Sequence, residues 1–317
     1  MAGRPFRFGV QASALPGGTG GTTAAGWRAL ARRVEDLGFS TLTVADHLDD
    51  QLAITPAIQA AADATTTLRV GALVWCNDYR HPVVLAKEAA TIDLLTDGRL
   101  EVGVGAGWMR TDYDAAGLPL DRPGLRIHRL TETLDVLEGL WGEGPFSYDG
   151  EHYRITGLDG GPKPVQRPRP PLLLGGGGPR MLALAGRRAD IVGLNINLAK
   201  GVIDADAGPD GTAARTDEKI GWVREAAGDR FGAIELQVRV HLTLVTDDRA
   251  AMAEAFAPGL GLTPAEGLQS PHALCGSTEE IAADLEARRE RWGISYIGIG
   301  VESLDALAPV VARLAGT

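Results

Sequence analysis

The sequence predicts an α/β chain folded as a (β/α)8 barrel, the TIM-barrel architecture, with insertions. Three observations carry this reading. Short β-rich runs alternate with amphipathic helical stretches from end to end. Helices between strands favour right-handed crossovers and parallel pairing. The strands number eight, the count that closes such a barrel. A doubly wound open sheet is the structural alternative. The 317 residues could fill two ordinary domains, but eight βα units plus insertions use residues 1–317 as one.

The elements follow in order. Residues 6–11 read as the first strand, and 23–38 as a helix with Trp27, Leu30, Ala31, Val34 and Leu37 on one face and Gly38 as its stop. Residues 41–46 form a second strand that delivers Asp46 and His47, a helix covers 56–64, and 69–75 is the third strand. Residues 82–95 are helical and 99–105 are the fourth strand. A helix over 125–141 and a hairpin over 146–155 around Asp149-Gly150 make an excursion within the first insertion, at about 108–170. Strand five at 171–174 precedes a helix over 180–188, and strand six covers 190–195. Residues 201–215, the second insertion, lack periodicity and read as a mobile loop, and 257–272 as another. A helix at 216–227, a seventh strand alternating over 235–245, a helix at 278–292, strand eight at 296–301 and a last helix at 304–314 complete the chain. Ser277 and Glu280 are spaced to form a capping box. In a barrel, insertions that follow strands lie on the C-terminal face, where active sites are found.

Composition removes several classes of function. Hydrophobic residues make up 44% and charged residues 23%, with no apolar run near a membrane span, so a soluble protein is expected. Lys and Arg number 31 against 41 Asp and Glu, a formal charge of −10 and the wrong sign for nucleic acid. Two cysteines 199 positions apart suit neither a zinc site nor a disulfide framework, and the N-terminus lacks an apolar signal segment, so a cytoplasmic protein is expected. The six histidines show no H-x-x-x-H or H-x-H pattern, so no metal is expected, and no G-x-S-x-G elbow appears.

Glycine is the outlier, with 42 residues, where roughly 7% is average. The run Gly175-Gly176-Gly177-Gly178 follows an apolar strand and precedes Pro179, a residue suited to a helix's first turn. Backbone N–H groups converging there would hold a phosphate; the other reading is a tight turn without ligand. Gly103, Gly105 and Gly107 serve either close packing or ligand approach, and their G-x-G-x-G spacing disfavours a Rossmann site. Asp46 and His47, at a strand's C-terminal end, are the candidate catalytic pair. His81 serves a turn, and His241 is either core or site lining.

These residues also carry a family resemblance. Asp46-His47, the run from Gly71 to Trp75 leading to Arg80-His81-Pro82, and Leu95-Thr96-Asp97-Gly98-Arg99 before Gly103-Val104-Gly105-Ala106-Gly107-Trp108 resemble the luciferase-like flavin and deazaflavin oxidoreductases. The later stretch from Leu174 through the glycine run to Met181-Leu182, with Ala189-Asp190 and the closing Gly276-Ser277-Thr278-Glu279-Glu280-Ile281, matches as well. The form of the glycine run is most similar to the branch that uses coenzyme F420, with FMN the alternative cofactor. The resemblance implies a homodimeric barrel in which Gly176, Gly177, Gly178 and Pro179 hold the cofactor phosphate. Gly105, Ala106 and Gly107 would lie beside the cofactor, and Asp46 and His47 would approach its ring. A non-prolyl cis peptide would support the ring near Ala72-Leu73 or Leu73-Val74, making Leu73 and Val74 cofactor contacts. Sugar-phosphate dehydrogenases of that branch carry a carboxylate where this chain has Trp108, so the resemblance points away from sugar phosphate. A more apolar pocket is expected, with Trp75, Trp108 and Asn195 as walls, although either Trp could equally be packing.

Three functions follow for a small-molecule enzyme of this kind. The first is an F420-dependent oxidoreductase moving hydride between the deazaflavin C5 and a small, fairly apolar substrate. The second is a two-component monooxygenase supplied with reduced FMN by a separate reductase. The third is a barrel without catalysis that acts as a binding protein.

Overall fold

The computed structural model describes residues 3–202 and 205–317. Met1 and Ala2 of the N-terminal segment, and residues 203–204 inside the expected 201–215 loop, lie outside the described residues. The first three units are β1 (Arg7–Gln11), α1 (Ala24–Asp36), β2 (Thr41–Val44), α2 (Ile54–Ala62), β3 (Arg69–Ala72), β4 (Trp75–Cys76) and α3 (Pro82–Leu95). Next come β5 (Leu100–Gly105), α4 (Arg110–Ala116), α5 (Pro123–Trp141), β6 (Pro145–Asp149) and β7 (Arg154–Asp159). They lead to β8 (Leu172–Gly176), α6 (Pro179–Arg188), β9 (Ile191–Leu194), α7 (Ala213–Ala227) and β10 (Glu235–Arg239). The chain ends with β11 (Leu242–Val245), α8 (Arg249–Phe256), α9 (Pro264–Gln269), β12 (Ala273–Gly276), α10 (Thr278–Trp292), β13 (Ile294–Gly300) and α11 (Leu304–Leu314).

Eight parallel strands run in the order β3-β2-β1-β13-β10-β9-β8-β5, and β5 pairs back onto β3. That last pairing closes the sheet and excludes the open doubly wound alternative. Helices pack outside through apolar stripes such as Trp27, Ala31 and Val34 of α1, whose first turn is capped by Thr23 accepting from Gly26 N. The expected capping box at Ser277 and Glu280 starts α10. No described helix is long and apolar enough to cross a membrane.

Alternate strand residues face the barrel axis, and they decide where the barrel is full and where it is hollow. At the N-terminal end, Arg7 lies 3.7 Å over the Tyr296 ring and pairs with Glu101 and Glu235, while Arg69 shares Glu101. This ion cluster plugs the bottom. One layer up, Tyr296 and Gln237 reach across the axis because Gly9 and Gly298 leave them room: a Cβ on Gly9 would lie 2.8 Å from the Tyr296 ring. Some of the glycine excess therefore serves interior packing, and the cavity begins above that layer.

Several sequence expectations are corrected. The third strand is not continuous over 69–75; it stops at Ala72, passes through the Leu73–Val74 cis peptide and resumes as β4 against β5. The seventh strand is two: β10 stays in the barrel, whereas β11 leaves it to pair with β12, a strand the periodicity did not reveal. Residues 257–272 contain α9, capped by a Thr263–Glu266 box, so they are not simply a loop. Within 201–215, residues 205–211 form a 3-10 turn and α7 begins at Ala213. The hairpin follows α5 as expected and packs along it, with Phe146 against Gly139 and Tyr148 OH donating to Asp135. Its four-residue connection is gathered by Glu132, which accepts from the N–H groups of Glu151, His152 and Tyr153.

Candidate active site in the barrel mouth

A cavity of about 540 Å³ opens at the C-terminal ends of β1, β2, β5, β8, β9 and β10. Asp46, His47, Leu73, Val74, Gly105, Ala106, Gly107, Trp108, the run Gly176–Pro179 and Asn195 all line it. One expected residue does not. Trp75 is fully buried in β4, outside the cavity, so its place is in packing and not in a pocket wall.

His47 and Asp46, adjacent in sequence, do different work. The carboxylate of Asp46 accepts from both terminal nitrogens of Arg80 (2.6 and 3.2 Å) and from Cys76 N (2.9 Å). It ties the end of β2 to the β4 segment, both of its oxygens being engaged by Arg80. His47 meets a carboxylate that sequence reasoning did not single out: its Nδ1 lies 2.7 Å from Asp112 Oδ2. Asp112 is buried in the first turn of α4 and also accepts from Tyr79 OH (3.1 Å) and Leu48 N (3.3 Å). Burial, then the neighbouring Cys76 and Asp112, pushes the Tyr79 phenol far above its ordinary 10, so it remains a donor. With Nδ1–H donated to Asp112, the other ring nitrogen of His47, Nε2, is the one left for the cavity. Trp108 stands edge-on to the imidazole at 5.7 Å. The only sequence signal for Asp112 is its place four residues beyond Trp108; its partner is 65 positions away.

The glycine run forms an open helix start. Gly178 is the N-cap of α6 and no side chain caps it; Pro179 has no N–H, so the first free helix donors are those of Arg180 and Met181, residues that line the cavity. A side chain on Gly177 would run into the backbone of Ile196 and Asn197, so only glycine allows that close approach. The chemistry fits a phosphate: converging N–H donors, a positive helix end and no competing carboxylate cap.

Past the end of β3, two strands round the ring from β8, Leu73 and Val74 at the cis peptide present an apolar ledge to the cavity, and Leu73 O accepts from Gln11 Nε2 at 2.9 Å. Gly105 has its face covered by Val74 Cγ2, only 2.5 Å from where a Cβ would stand. Gly103 packs directly on Ala72 and Val74, which settles its role as packing. Buried Arg126 holds the Ala106-Gly107 turn through both carbonyls and the Asp121 carbonyl. Apolar and bare-backbone surfaces of this kind suit the face of a flat ring.

The remaining histidines sort by contact. His81 caps α3 by accepting from Val83 N. His241 lines the cavity, its Nε2 2.9 Å from Asn195 Oδ1, and burial followed by Arg239 pushes its imidazole down to about 4, so it is neutral. Cys76 also reaches the cavity, but burial pushes its thiol up to about 11. Sequence spacing missed one grouping outside the cleft, where the hairpin brings Glu151 and His152 beside His128 with ligand atoms within 4.8 Å of one another.

Comparison with known families matches residues 6–293 to the luciferase-like monooxygenase model. An FMNH2-dependent dimethylsulfone monooxygenase from Pseudomonas putida is 34% identical over 158 residues, covering 50% of this chain and 42% of that protein. The chain therefore spans less than half of that relative's length. An F420-dependent glucose-6-phosphate dehydrogenase from Nakamurella multipartita is 28% identical over 312 residues, covering 93% of this chain and 85% of that protein. Among solved structures, the coenzyme F420 dependent tetrahydromethanopterin reductase of Methanopyrus kandleri superposes with a TM-score of 0.78 at 17% identity over 98% of each chain, a likeness of fold. Relatives thus use either a deazaflavin or a flavin.

Proposed function

The chain belongs to the luciferase-like monooxygenase family, and we propose that within it this protein is an F420-dependent oxidoreductase acting on a small organic substrate. The observation that carries the reading is the His47–Asp112 dyad in the same cavity as the glycine-run phosphate cradle. Hydride transfer to or from an oxygen-bearing carbon needs a proton moved in the same event, and an imidazole held by Asp112 can accept that proton at Nε2 on oxidation and return it from the imidazolium on reduction. When bound, the deazaflavin supplies the hydride acceptor or donor at C5.

The chain's own residues do the rest. The N–H groups at Gly177, Gly178 and the start of α6 hold the phosphate, and Leu73, Val74 and Gly105 to Gly107 offer flat walls for a ring. His47 Nε2 takes the proton from a substrate hydroxyl, or returns it, while Asp112 stabilises the imidazolium that forms. Trp108 fills the position beside His47 and keeps water from it. Similarity to an F420-dependent relative along 93% of this chain supports the deazaflavin over the flavin. The dimethylsulfone monooxygenase relative favours the second reading, a two-component enzyme using reduced FMN.

Fluorescence titration with F420 and, under anaerobic conditions, with reduced FMN separates them. The expected result is F420 binding at micromolar or lower concentration and at least tenfold tighter than reduced FMN. Tighter binding of reduced FMN, with oxygen uptake on admitting air and substrate, would replace this reading by the monooxygenase.

A further inference from the structure

Gln237 and Arg239 stand two residues apart on β10, so both point to the barrel axis, and both line the cavity. Their hydrogen-bonding capacity is not used up. Arg239 Nε donates to Gln11 Oε1 at 2.7 Å and Nη1 to the carbonyl of neighbouring Val240; Nη2 has no partner among the described residues. No described carboxylate pairs with it, and Glu302 acts on it only from beyond ion-pair distance. Arg7, Arg80 and Arg129 meet carboxylates, of Glu101 and Glu235, Asp46, and Asp78. Arg126, Arg230 and Arg288 spend their donors on two or three backbone carbonyls each. Unlike Arg126 and Arg180, which also line the cavity, Arg239 ends a barrel strand beside Gln237. The buried amide nitrogen of Gln237 is likewise without a partner. A half-turn of that amide exchanges its oxygen and nitrogen, so its NH2 can be presented to the cavity. Neighbouring His241 is neutral and already joined to Asn195, so it provides no counter-charge.

A guanidinium withdrawn from water without a counter-ion is costly, and such costs are tolerated where a ligand relieves them. The glycine run that suits the phosphate ends β8, whereas Arg239 ends β10, two strands further round the ring. We propose that the substrate is a small organic anion whose carboxylate is bound by Arg239, with Gln237 as the second donor, while its apolar body lies in the cavity shared with Trp108 and His47. This rests on reading the cleft as an oxidoreductase site and names the class of substrate for it. The net charge of −10 repels anions at long range, so selection falls to this local fork, whose planar donors match a carboxylate bidentately.

The test is calorimetric titration of wild type, Arg239→Gln and Arg239→Met, each free of cofactor and loaded with F420. The probes are benzoate and hexanoate against their neutral isosteres, benzamide and hexanamide. Wild type is expected to bind the acids at least tenfold tighter than the amides, both variants to lose that preference, and F420 affinity to stay within twofold. Equal binding of acids and amides by wild type, or a preference that survives in folded variants, overturns the proposal. A matching loss of F420 affinity in the variants also overturns it, because Arg239 would then serve the cofactor. Failure of wild type to bind any cofactor strikes at the oxidoreductase reading instead, and the anion titrations on cofactor-free protein still decide this one.

Discussion

His47 Nδ1 and Asp112 Oδ2 lie 2.7 Å apart, joining the exit of β2 to the first turn of α4. Asp112 accepts from three donors, His47, Leu48 N and Tyr79 OH, so each fixes the others. An acceptor in that position decides which imidazole nitrogen carries the proton, and so which one is free for substrate.

Asp112→Asn keeps the shape and removes the charge. The amide can turn its NH2 to Nδ1, which moves the ring proton to Nε2 and costs the imidazolium its stabilising carboxylate. Turnover is expected to fall by about 10² to 10⁴, with F420 affinity within twofold, because Asp112 makes no contact with the phosphate cradle. Single-turnover kinetics beside a cofactor titration check this; turnover within threefold of wild type would remove His47 as the proton carrier.

Gly178 separates stability from binding. A Cβ there has ordinary room, its nearest neighbour being Asn197 Nδ2 at 3.7 Å, and its φ of −102° suits any residue. Gly178→Asp introduces a good N-cap, so stability should hold or rise by about a few tenths of a kcal/mol. The same carboxylate occupies the phosphate's donors and repels it, so cofactor affinity should drop at least a hundredfold, whereas Gly178→Ala should bind nearly normally. Gly177→Ala, by contrast, should lower stability by about 2 kcal/mol or more because backbone must move. Thermal melts with cofactor titration read both quantities on each variant.

Much of this architecture is legible because it is local. The glycine run, Pro179 and the strand before it are consecutive, and so are Asp46 and His47 at the end of a strand. Contacts made across the barrel are not legible. Asp46 looks like His47's partner by adjacency, yet Arg80 claims its carboxylate, and His47 turns to Asp112 far along the chain. Trp75 and Trp108 look alike as aromatic residues after glycine-rich strands, but alternation sends Trp75 outward into the helix layer and leaves Trp108 on the turn above it. The split of the seventh strand is hidden because Leu242–Val245 keeps the same apolar alternation while changing sheets.

Glu35 provides a pH-dependent clasp. Its carboxylate accepts from Thr66 N, Thr67 N and Leu68 N, tying the end of α1 to the start of β3. Partial burial pushes the carboxyl up, but the backbone donors of Thr67 and Leu68 outweigh it and hold the group down at about 2, against 4.5 for the free side chain. A depressed acid contributes stability that is full above the unfolded value and is lost as pH falls from about 4.5 toward 2. Glu35→Gln should therefore cost about 1 kcal/mol at pH 7 after solvent screening, and the gap from wild type should narrow clearly by pH 3 and vanish only as pH falls through about 2. Urea melts at pH 7 and pH 3 measure it; a gap as large at pH 3 as at pH 7 contradicts the assignment.

Asp46→Asn tests the division of labour between neighbouring residues. The change leaves Arg80 facing an amide and weakens the bidentate contact that fixes the β4 segment, so stability should fall by about 2 kcal/mol, read as a lower urea midpoint. Arg80 and Cys76 N still find an oxygen on the amide, so the end of β2 keeps its course and His47 its carboxylate partner. Turnover of folded protein should fall less than tenfold, whereas His47→Gln should lose at least a hundredfold with little change in stability. If Asp46→Asn instead loses as much turnover as His47→Gln while melting normally, then Asp46 takes part in the chemistry directly and its ion pair with Arg80 is broken when substrate binds.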